Sequence, residues 1–464
     1  MIQLKNAELL RKYNVAGPRY TSYPTVPYWE TNPTEQEWIE SIGRSMDDAE
    51  KTGVGAALYV HIPFCQSLCT YCGCNTRITR KVSVGSPYVQ TVLKEWELYR
   101  ARLGALKGTE ARTVTLSELH LGGGTPTFLS PEELHQLVSG ILQGARVLDG
   151  AEFSVEADPR VTTREHLAVL RELGFRRLSL GIQDFDPRVQ DIVNRTQSEE
   201  QVRSITAMAR ELGYTSINYD LIYGLPLQTL KSVEETIQAV QRLRPDRIAF
   251  YAYAHVPWIK PGQRRFTEAD LPNGEDKRAL YELGRALLEE RGYREVGMDH
   301  FALESDSLWK AAQSRELHRN FMGYTSRHVA PQIGLGVSAI GDSWDIFAQN
   351  EKLLETWSAR VEKGEIPIHR GHVLTEEDRV LRRHVLNLMT SMKTDWTNSG
   401  AQTEWLSEIP ARLAEAVHDG LITLSDTGCT VHEDGRAFLR NICMAFDARL
   451  ARKAPQSQIF SKTI

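Results

Sequence analysis

The chain has 464 residues, 41% hydrophobic and 25% charged, with 13 Phe, 16 Tyr and 9 Trp available for cores, the composition of an ordinary globular protein of two or three domains. A net charge of −5 offers no global field for nucleic acid or an anionic membrane. No apolar stretch approaches the ~20 residues of a spanning helix, and MIQLKNAELLRKYN lacks an apolar leader core, so a cytoplasmic address is expected.

Residues 1–38, with GPRYTSYPTVPYW, are rich in Pro and Tyr, carry no periodicity and read as an extended arm. From about residue 56 short β-rich runs alternate with Gly/Pro/Asp loops and amphipathic helical segments. The runs are 56–62, 116–121, 151–156, 176–182, 216–222 and 246–254. Ser130 with Glu133, Thr162 with Glu165 and Ser232 with Glu235 fit the capping box that opens a helix. Gly174 and Gly213 stand where a glycine would end one. The alternation predicts a parallel sheet with right-handed crossovers. Six units fall short of the eight of a closed barrel, so a partly open barrel and a doubly wound sheet both fit.

Residues 255–345 read as a long irregular stretch containing GMDHFA, HRNFMGYT and IGLGVSAIG. Beyond about 365, TEEDRVLRRHVLNLMTSM reads as a capped amphipathic helix. It is followed by a helix, β-hairpin and helix similar to a winged-helix module.

Four of the six cysteines, Cys65, Cys69, Cys72 and Cys74, fall within ten residues just after the first strand. The spacing C-x3-C-x2-C supplies three thiolates from one loop, which suits three corners of a cubane iron–sulfur cluster and leaves the fourth iron open to a ligand. Structural zinc is the alternative, but it usually takes two separated Cys pairs. Cys74 is open between a fourth ligand, a cofactor neighbour and an inert thiol; Cys429 and Cys443 read as buried thiols.

Other motifs surround this loop. Gly122-Gly123-Gly124-Thr125-Pro126-Thr127 closes the second strand and permits close backbone approach to a ligand. It lacks the GK[ST] of a phosphate loop. Glu156, Gln183 and Asp220 end the third, fourth and fifth strands, where polar residues of barrel-like sheets face the active-site mouth. Helix capping and loop salt bridges are the bland alternative.

Together YVHIPFC, CxYCGCN, LGGGTPT, VEADPR, LGIQDF, NYDLIYGLP, GMDHFA and HRNF, in this order, resemble the oxygen-independent coproporphyrinogen III oxidases (dehydrogenases) of the radical S-adenosylmethionine superfamily. The resemblance runs from GPRYTSYPT to RNICMAFD, almost the whole chain. It implies an α/β fold, a partial (βα)6 TIM-like barrel in residues 39–360, flanked by the arm (1–38) and a mostly helical, winged-helix-like domain (365–464). It implies a [4Fe–4S] cluster on Cys65, Cys69 and Cys72 and two molecules of S-adenosylmethionine. Tyr59, Gly123 and Glu156 match contacts to the first. Tyr71, Gly124, Thr125, Gln183, Arg195, Asp220 and Ala254 match contacts to the second, with Cys74 as its neighbour and Ile340 as a further apolar contact.

The implied reaction, part of haem biosynthesis, is the anaerobic decarboxylation of two propionates of coproporphyrinogen III to vinyl groups, giving protoporphyrinogen IX. A 5′-deoxyadenosyl radical takes hydrogen from the propionate β-carbon. Arg19, Arg77, Arg80 and Lys81 are candidate propionate partners. A reductase/flavodoxin-type electron donor, a monomeric state, and no nucleic-acid or membrane partner complete the expectation. Met322 departs from the family, where Gln is expected. The alternatives are a haem-carrying relative without decarboxylase activity and a radical enzyme acting on tRNA or methylating a porphyrin.

Overall fold

The computed structural model describes residues 7–329, 331–396, 403–453 and 458–464. The six expected runs form β1 (Ala56–Ile62), β2 (Val114–Gly123), β3 (Ala145–Ala157), β4 (Arg177–Gln183), β5 (Ser216–Tyr223) and β6 (Arg247–Ala252), all parallel. The stretch read as irregular supplies β7 (Tyr293–Val296), β8 (His300–Leu303), β9 (Gln332–Leu335) and β10 (Ile340–Asp342), with β11 (Ile346–Asn350) and β12 (Ile368–Val373) following. These strands are too short to establish a period of two, so the sequence hides them. They extend one twelve-stranded sheet in the order β12-β11-β10-β9-β1-β2-β3-β4-β5-β6-β8-β7. β9 lies parallel to β1, opposite Ala57 to Val60, and β10 to β12 continue antiparallel. The two edge strands do not pair with each other, so the barrel is partial and open.

Helix α1 (Ala7–Tyr13) belongs to the arm; the helices that cover the outer face are α2 (Glu35–Thr52), α3 (Gly85–Ala105), α4 (Pro131–Gln143), α5 (Arg164–Glu172), α6 (Glu199–Glu211), α7 (Leu230–Leu243) and α8 (Gly274–Glu290). Ser130 and Glu133 form the expected capping box. Two starts are displaced: Thr163 with His166 opens α5, and Thr229 with Ser232 opens α7. Thr163, one residue after the expected Thr162, and Thr229, three residues before the expected Ser232, accept the N3 amides, because neighbouring hydroxyls compete for the same orphan donors. Gly174 and Gly213 take φ values of 103° and 88° just past α5 and α6.

The strands sort their residues by face. On β4, Leu178, Leu180 and Ile182 are buried toward the helices, whereas Arg177, Ser179, Gly181 and Gln183 are half-buried on the inner face. The main apolar core therefore lies between sheet and helices, and the barrel lumen is polar.

The arm is not wholly extended. It contains α1, a 3-10 turn at Val26–Tyr28, and the start of α2, capped by Thr34. Leu10, Tyr20 and Tyr23 join a second apolar core with Leu381, Leu388, Ile409 and Phe446. That core is built by α9 (Glu376–Ser391), α10 (Glu404–His418) and a three-stranded sheet, Lys393–Asp395, Gly428–Val431 and Ile422–Leu424. No helix among the described residues is long and apolar enough to cross a membrane.

The return of the sheet through β9 to β11 hangs on one buried carboxylate. Glu95 of α3 accepts from Gly336 N (2.8 Å), Asn350 Nδ2 (2.6 Å) and Trp357 Nε1 (3.0 Å). Glu95→Leu leaves Gly336 N and Trp357 Nε1 without an acceptor and takes one of the acceptors of Asn350, so it should destabilise the fold by about 3 kcal/mol. A lower urea midpoint checks this; an unchanged midpoint would show that Glu95 does not hold the seam.

Candidate active site

Inward side chains at the C-terminal ends of the parallel strands enclose a cavity of about 370 Å³. Tyr71, Cys65, Cys69, Cys72, Cys74, Gly123, Gly124, Thr125, Glu156, Gln183, Arg195 and Asp220 all line it. Twelve of the expected site residues, remote in sequence, thus share one cavity.

The cysteine loop is pinned at both ends. Phe64–Cys65 pairs with Arg77–Ile78, and Thr79 N donates to Cys65 O (2.9 Å). Thr70 N donates to Val193 O (2.9 Å) and Asn194 Nδ2 to Leu68 O (2.7 Å), which fastens the middle of the loop to the segment after β4. Cys65 Sγ lies 3.3 Å from Thr125 Oγ1. Cys69 Sγ accepts from Arg195 Nη1 at 3.6 Å and from Arg160 Nη2 at 3.9 Å.

Donors and cations of this kind favour thiolate. The hydrogen bond from the Cys74 thiol, then the Cys74 amide, Lys260 and Arg195, bring the Cys72 thiol down to about 6 against its burial. Burial pushes the Cys65 thiol up to about 11. No three Cys, His, Asp or Glu side chains among the described residues converge on a single ion. The thiols share the wall of a cavity instead, and such a donor set fits a polynuclear cluster better than a lone zinc.

Next to the loop, Glu156 accepts from Gly123 N (3.0 Å) and meets His120 Nε2 (3.2 Å). Burial would raise its carboxyl, but these partners hold it below its ordinary value. Gly123 has φ 115°, and a Cβ there would sit 2.7 Å from His61 Cε1, so only glycine fits between the ring and a ligand. Gly124 lies as close to the Pro63 carbonyl (2.7 Å for the same hypothetical Cβ). Across the mouth, Arg195 donates to Asp158 Oδ2 (3.1 Å) and Gly181 O (2.6 Å), while its buried Nε has no acceptor. An orphaned guanidinium donor in a cavity wall suits an anionic ligand group. Gln183 holds the turn there with φ 69°.

Other expected residues lie apart. Tyr59 sits behind the wall, stacked on His120 at 5.7 Å, with its hydroxyl 3.1 Å from His61 Nδ1. Ala254 borders the cysteine loop through Gln263, whose Nε2 donates to both Ala254 O (3.2 Å) and Tyr71 O (3.0 Å). Ile340 opens β10 opposite Gln349 and does not line the cavity. Arg19 lines a separate cavity of about 40 Å³ and donates to Ala252 O. Arg77 is exposed and paired with Glu355 (3.0 Å), and Arg80 and Lys81 are exposed. Met322 lines the main cavity.

The sequence reading missed Asp158, Arg160, His120, Tyr251 and His300, which also face the cavity. All but Tyr251 stand at or beside inward positions of the run 116–121 and of the motifs VEADPR and GMDHFA. Alternation along those strands was the available signal.

A family model for the radical SAM superfamily matches residues 59–240. The oxygen-independent coproporphyrinogen III oxidase of Escherichia coli strain K12 is 39% identical over 461 residues, 98% of either chain. That of Pseudomonas aeruginosa is 38% identical, covering 99% of this chain and 98% of its own. The solved structure of the E. coli coproporphyrinogen III oxidase, described as a radical SAM enzyme, superposes with a TM-score of 0.85 at 38% identity. It covers 93% of this chain and 97% of its own.

The acids of the cavity differ in charge. Burial first, then the negative charge of Glu156, pushes the Asp220 carboxyl up to about 6, although Ser179 and Asn218 donate to it. A raised carboxyl favours the fold while protonated, and that contribution is lost as pH rises through the folded value. Between about pH 4 and about pH 6 the wild type should therefore lose about 1–3 kcal/mol relative to Asp220→Asn. Urea midpoints of both proteins across that range measure it, and parallel pH profiles would contradict it.

Proposed function

The chain belongs to the oxygen-independent coproporphyrinogen III oxidases of the radical SAM superfamily, and from this membership we infer what each wall of its cavity does. The enzyme decarboxylates two propionates of coproporphyrinogen III to vinyl groups without oxygen, giving protoporphyrinogen IX. The observation that supports this site for it is the meeting of three thiols, the Glu156–Gly123 pair and the orphaned Arg195 guanidinium around one cavity.

Cys65, Cys69 and Cys72 would hold a [4Fe–4S] cluster. When bound, the cluster and S-adenosylmethionine supply one-electron cleavage to a carbon radical. The chain's own groups then orient and enclose. Glu156 is kept ionised by His120 and Gly123 N, so it can accept hydrogen bonds from an ammonium or a ribose. The Gly123–Gly124 backbone lets a ligand lie against the sheet. Tyr59 supports this side by fixing His120. For a second S-adenosylmethionine, Arg195 offers its free Nε to a carboxylate, Asp220 and Gln183 face it across the strand ends, and Tyr71, Thr125, Ala254 and Cys74 border it. Ile340 would act only from behind the wall. A Gln at Met322 would bring a donor and an acceptor to the cavity; Met brings neither.

For the substrate propionates, Arg80 and Lys81 are the stronger candidates. They have no carboxylate partner among the described residues and follow Ile78, which lines the cavity. Arg77 is occupied by Glu355, and Arg19 opens onto another cavity. We take residues 1–38, 39–360 and 365–464 as arm, catalytic domain and C-terminal domain of a cytoplasmic monomer fed by a reductase/flavodoxin-type donor. Nothing observed favours the haem-carrying alternative.

Anaerobic reconstitution with iron and sulfide, followed by product analysis on coproporphyrinogen III, tests the reaction. Two methionines should appear per protoporphyrinogen formed; haem binding without CO2 release would overturn it. In the same preparation Cys65→Ser, Cys69→Ser and Cys72→Ser should each lose the brown chromophore and most bound iron. Cys74→Ser should keep both. Loss of iron in Cys74→Ser would make it a fourth ligand.

A further inference from the structure

The cysteine loop has an outer face as well as an inner one. The segment after β6, residues 255–266, lies directly on it. Lys260 Nζ donates to Cys74 O (3.0 Å) and Gln263 Nε2 to Tyr71 O (3.0 Å). A Cβ on Gly262 would sit 3.3 Å from the Leu68 side chain. The outward side chains there are of two kinds. Trp258 and Ile259, adjacent in sequence and outside the cavity lining, are 42% and 57% exposed, large apolar groups left in water. Lys260, Arg264 and Arg265 are cations without a carboxylate partner among the described residues; Lys260 bonds a backbone carbonyl, as does Arg264, to Pro257 O (3.0 Å).

The bonds of Lys260 and Arg264 to backbone carbonyls brace the loops but leave the three charges unneutralised, and the exposed surface of Trp258 and Ile259 adds nothing to the core. Apolar anchors rimmed by one sign of charge are what an interface needs: burial for affinity, charge for steering and orientation. The chain as a whole carries −5. An acidic partner thus meets a weak net repulsion from the chain as a whole and a local attraction here.

We propose that Trp258 and Ile259, ringed by Lys260, Arg264 and Arg265, are the docking surface for a small acidic flavoprotein that reduces the cluster through the back of the cysteine loop. The inference rests on the cluster assignment above and adds where its electron enters. One electron leaves the donor's fully reduced flavin and enters the cluster, so the flavin is oxidised by one electron and the cluster reduced by one. No bond forms or breaks. The donor approaches from outside the loop, so the cavity side stays free for substrate.

The test uses reconstituted enzyme and a purified bacterial flavodoxin. Binding of oxidised flavodoxin is measured calorimetrically at low and at moderate salt, and bleaching of the oxidised cluster is followed after mixing with reduced flavodoxin or with dithionite. Wild type should bind flavodoxin in a salt-sensitive way. Arg264→Glu/Arg265→Glu should weaken binding and slow flavodoxin-driven bleaching by about tenfold. Trp258→Ala/Ile259→Ser should weaken binding with the salt dependence retained. Dithionite bleaching and dithionite-driven turnover should be unchanged in both.

Wild-type binding that is absent or indifferent to salt would overturn the proposal. So would variants that bind and bleach like wild type, or variants whose only defect is a raised KM for coproporphyrinogen, which would make this face part of the substrate rim. Dithionite-reduced wild type that fails to convert coproporphyrinogen would count against the oxidase reading instead.

Discussion

A guanidinium buried with a donor unused is an expensive thing for a protein to keep, and Arg195 is kept that way at the junction of every part of the site. One nitrogen reaches Asp158 beyond β3, another the carbonyl of Gly181 on β4, and the first also approaches Cys69. Asp158 is in turn gripped by Arg160, with contacts of 3.0 Å and 2.6 Å. Burial would raise the Asp158 carboxyl, but the two arginines hold it below its ordinary value. The pair of ions ties the cysteine loop to the strand ends, so the thiols and the carboxylates of the cavity keep their relative positions. Removing either partner would strand the other charge in a low-dielectric wall, a much larger penalty than the net worth of the pair.

The same constraint explains the layering. A closed barrel fills its interior with branched apolar side chains. Here the inner positions are His120, Ser154, Glu156, Ser179, Asn218 and Asp220, and each finds a polar neighbour along or across the strands. An open barrel can hold such a lumen because ligand and water reach it through the gap. The apolar work is moved outside, to the seam between strands and helices, and to the second core that the arm shares with the C-terminal helices.

How much of this could be read from the chain follows from the range of each interaction. The six parallel strands were legible because each is long enough to declare a pattern and is bounded by glycine or proline turns. Ser130 and Glu133 were legible because a capping box closes within four residues. Thr163 and Thr229 were not, because several hydroxyls stood near each start and only the packed helix selects one. The strands from Tyr293 to Asp342 escaped because three or four residues cannot show alternation. Cys65, Cys69 and Cys72 declared themselves by spacing. Arg195 looked like a surface cation, and only the family resemblance pointed to it, since its partners lie far away in sequence. Arg19 shows the reverse: its chemistry suits a propionate, but folding turns it toward Ala252.

The arm and the far end of the chain also meet. Ala16 bridges Lys462, Gly17 N donates to Ser461 O (3.1 Å), and Thr463 N donates to Val15 O (2.7 Å). During synthesis, residues 15–17 must wait for residues 461–463 before this strand pair can close. The βα units can assemble as they emerge, but the arm finds its seat only once the segment around Lys462 has cleared the ribosome. The order of manufacture thus secures this stretch of the arm late, after the cysteine loop can already be enclosed by its own neighbours.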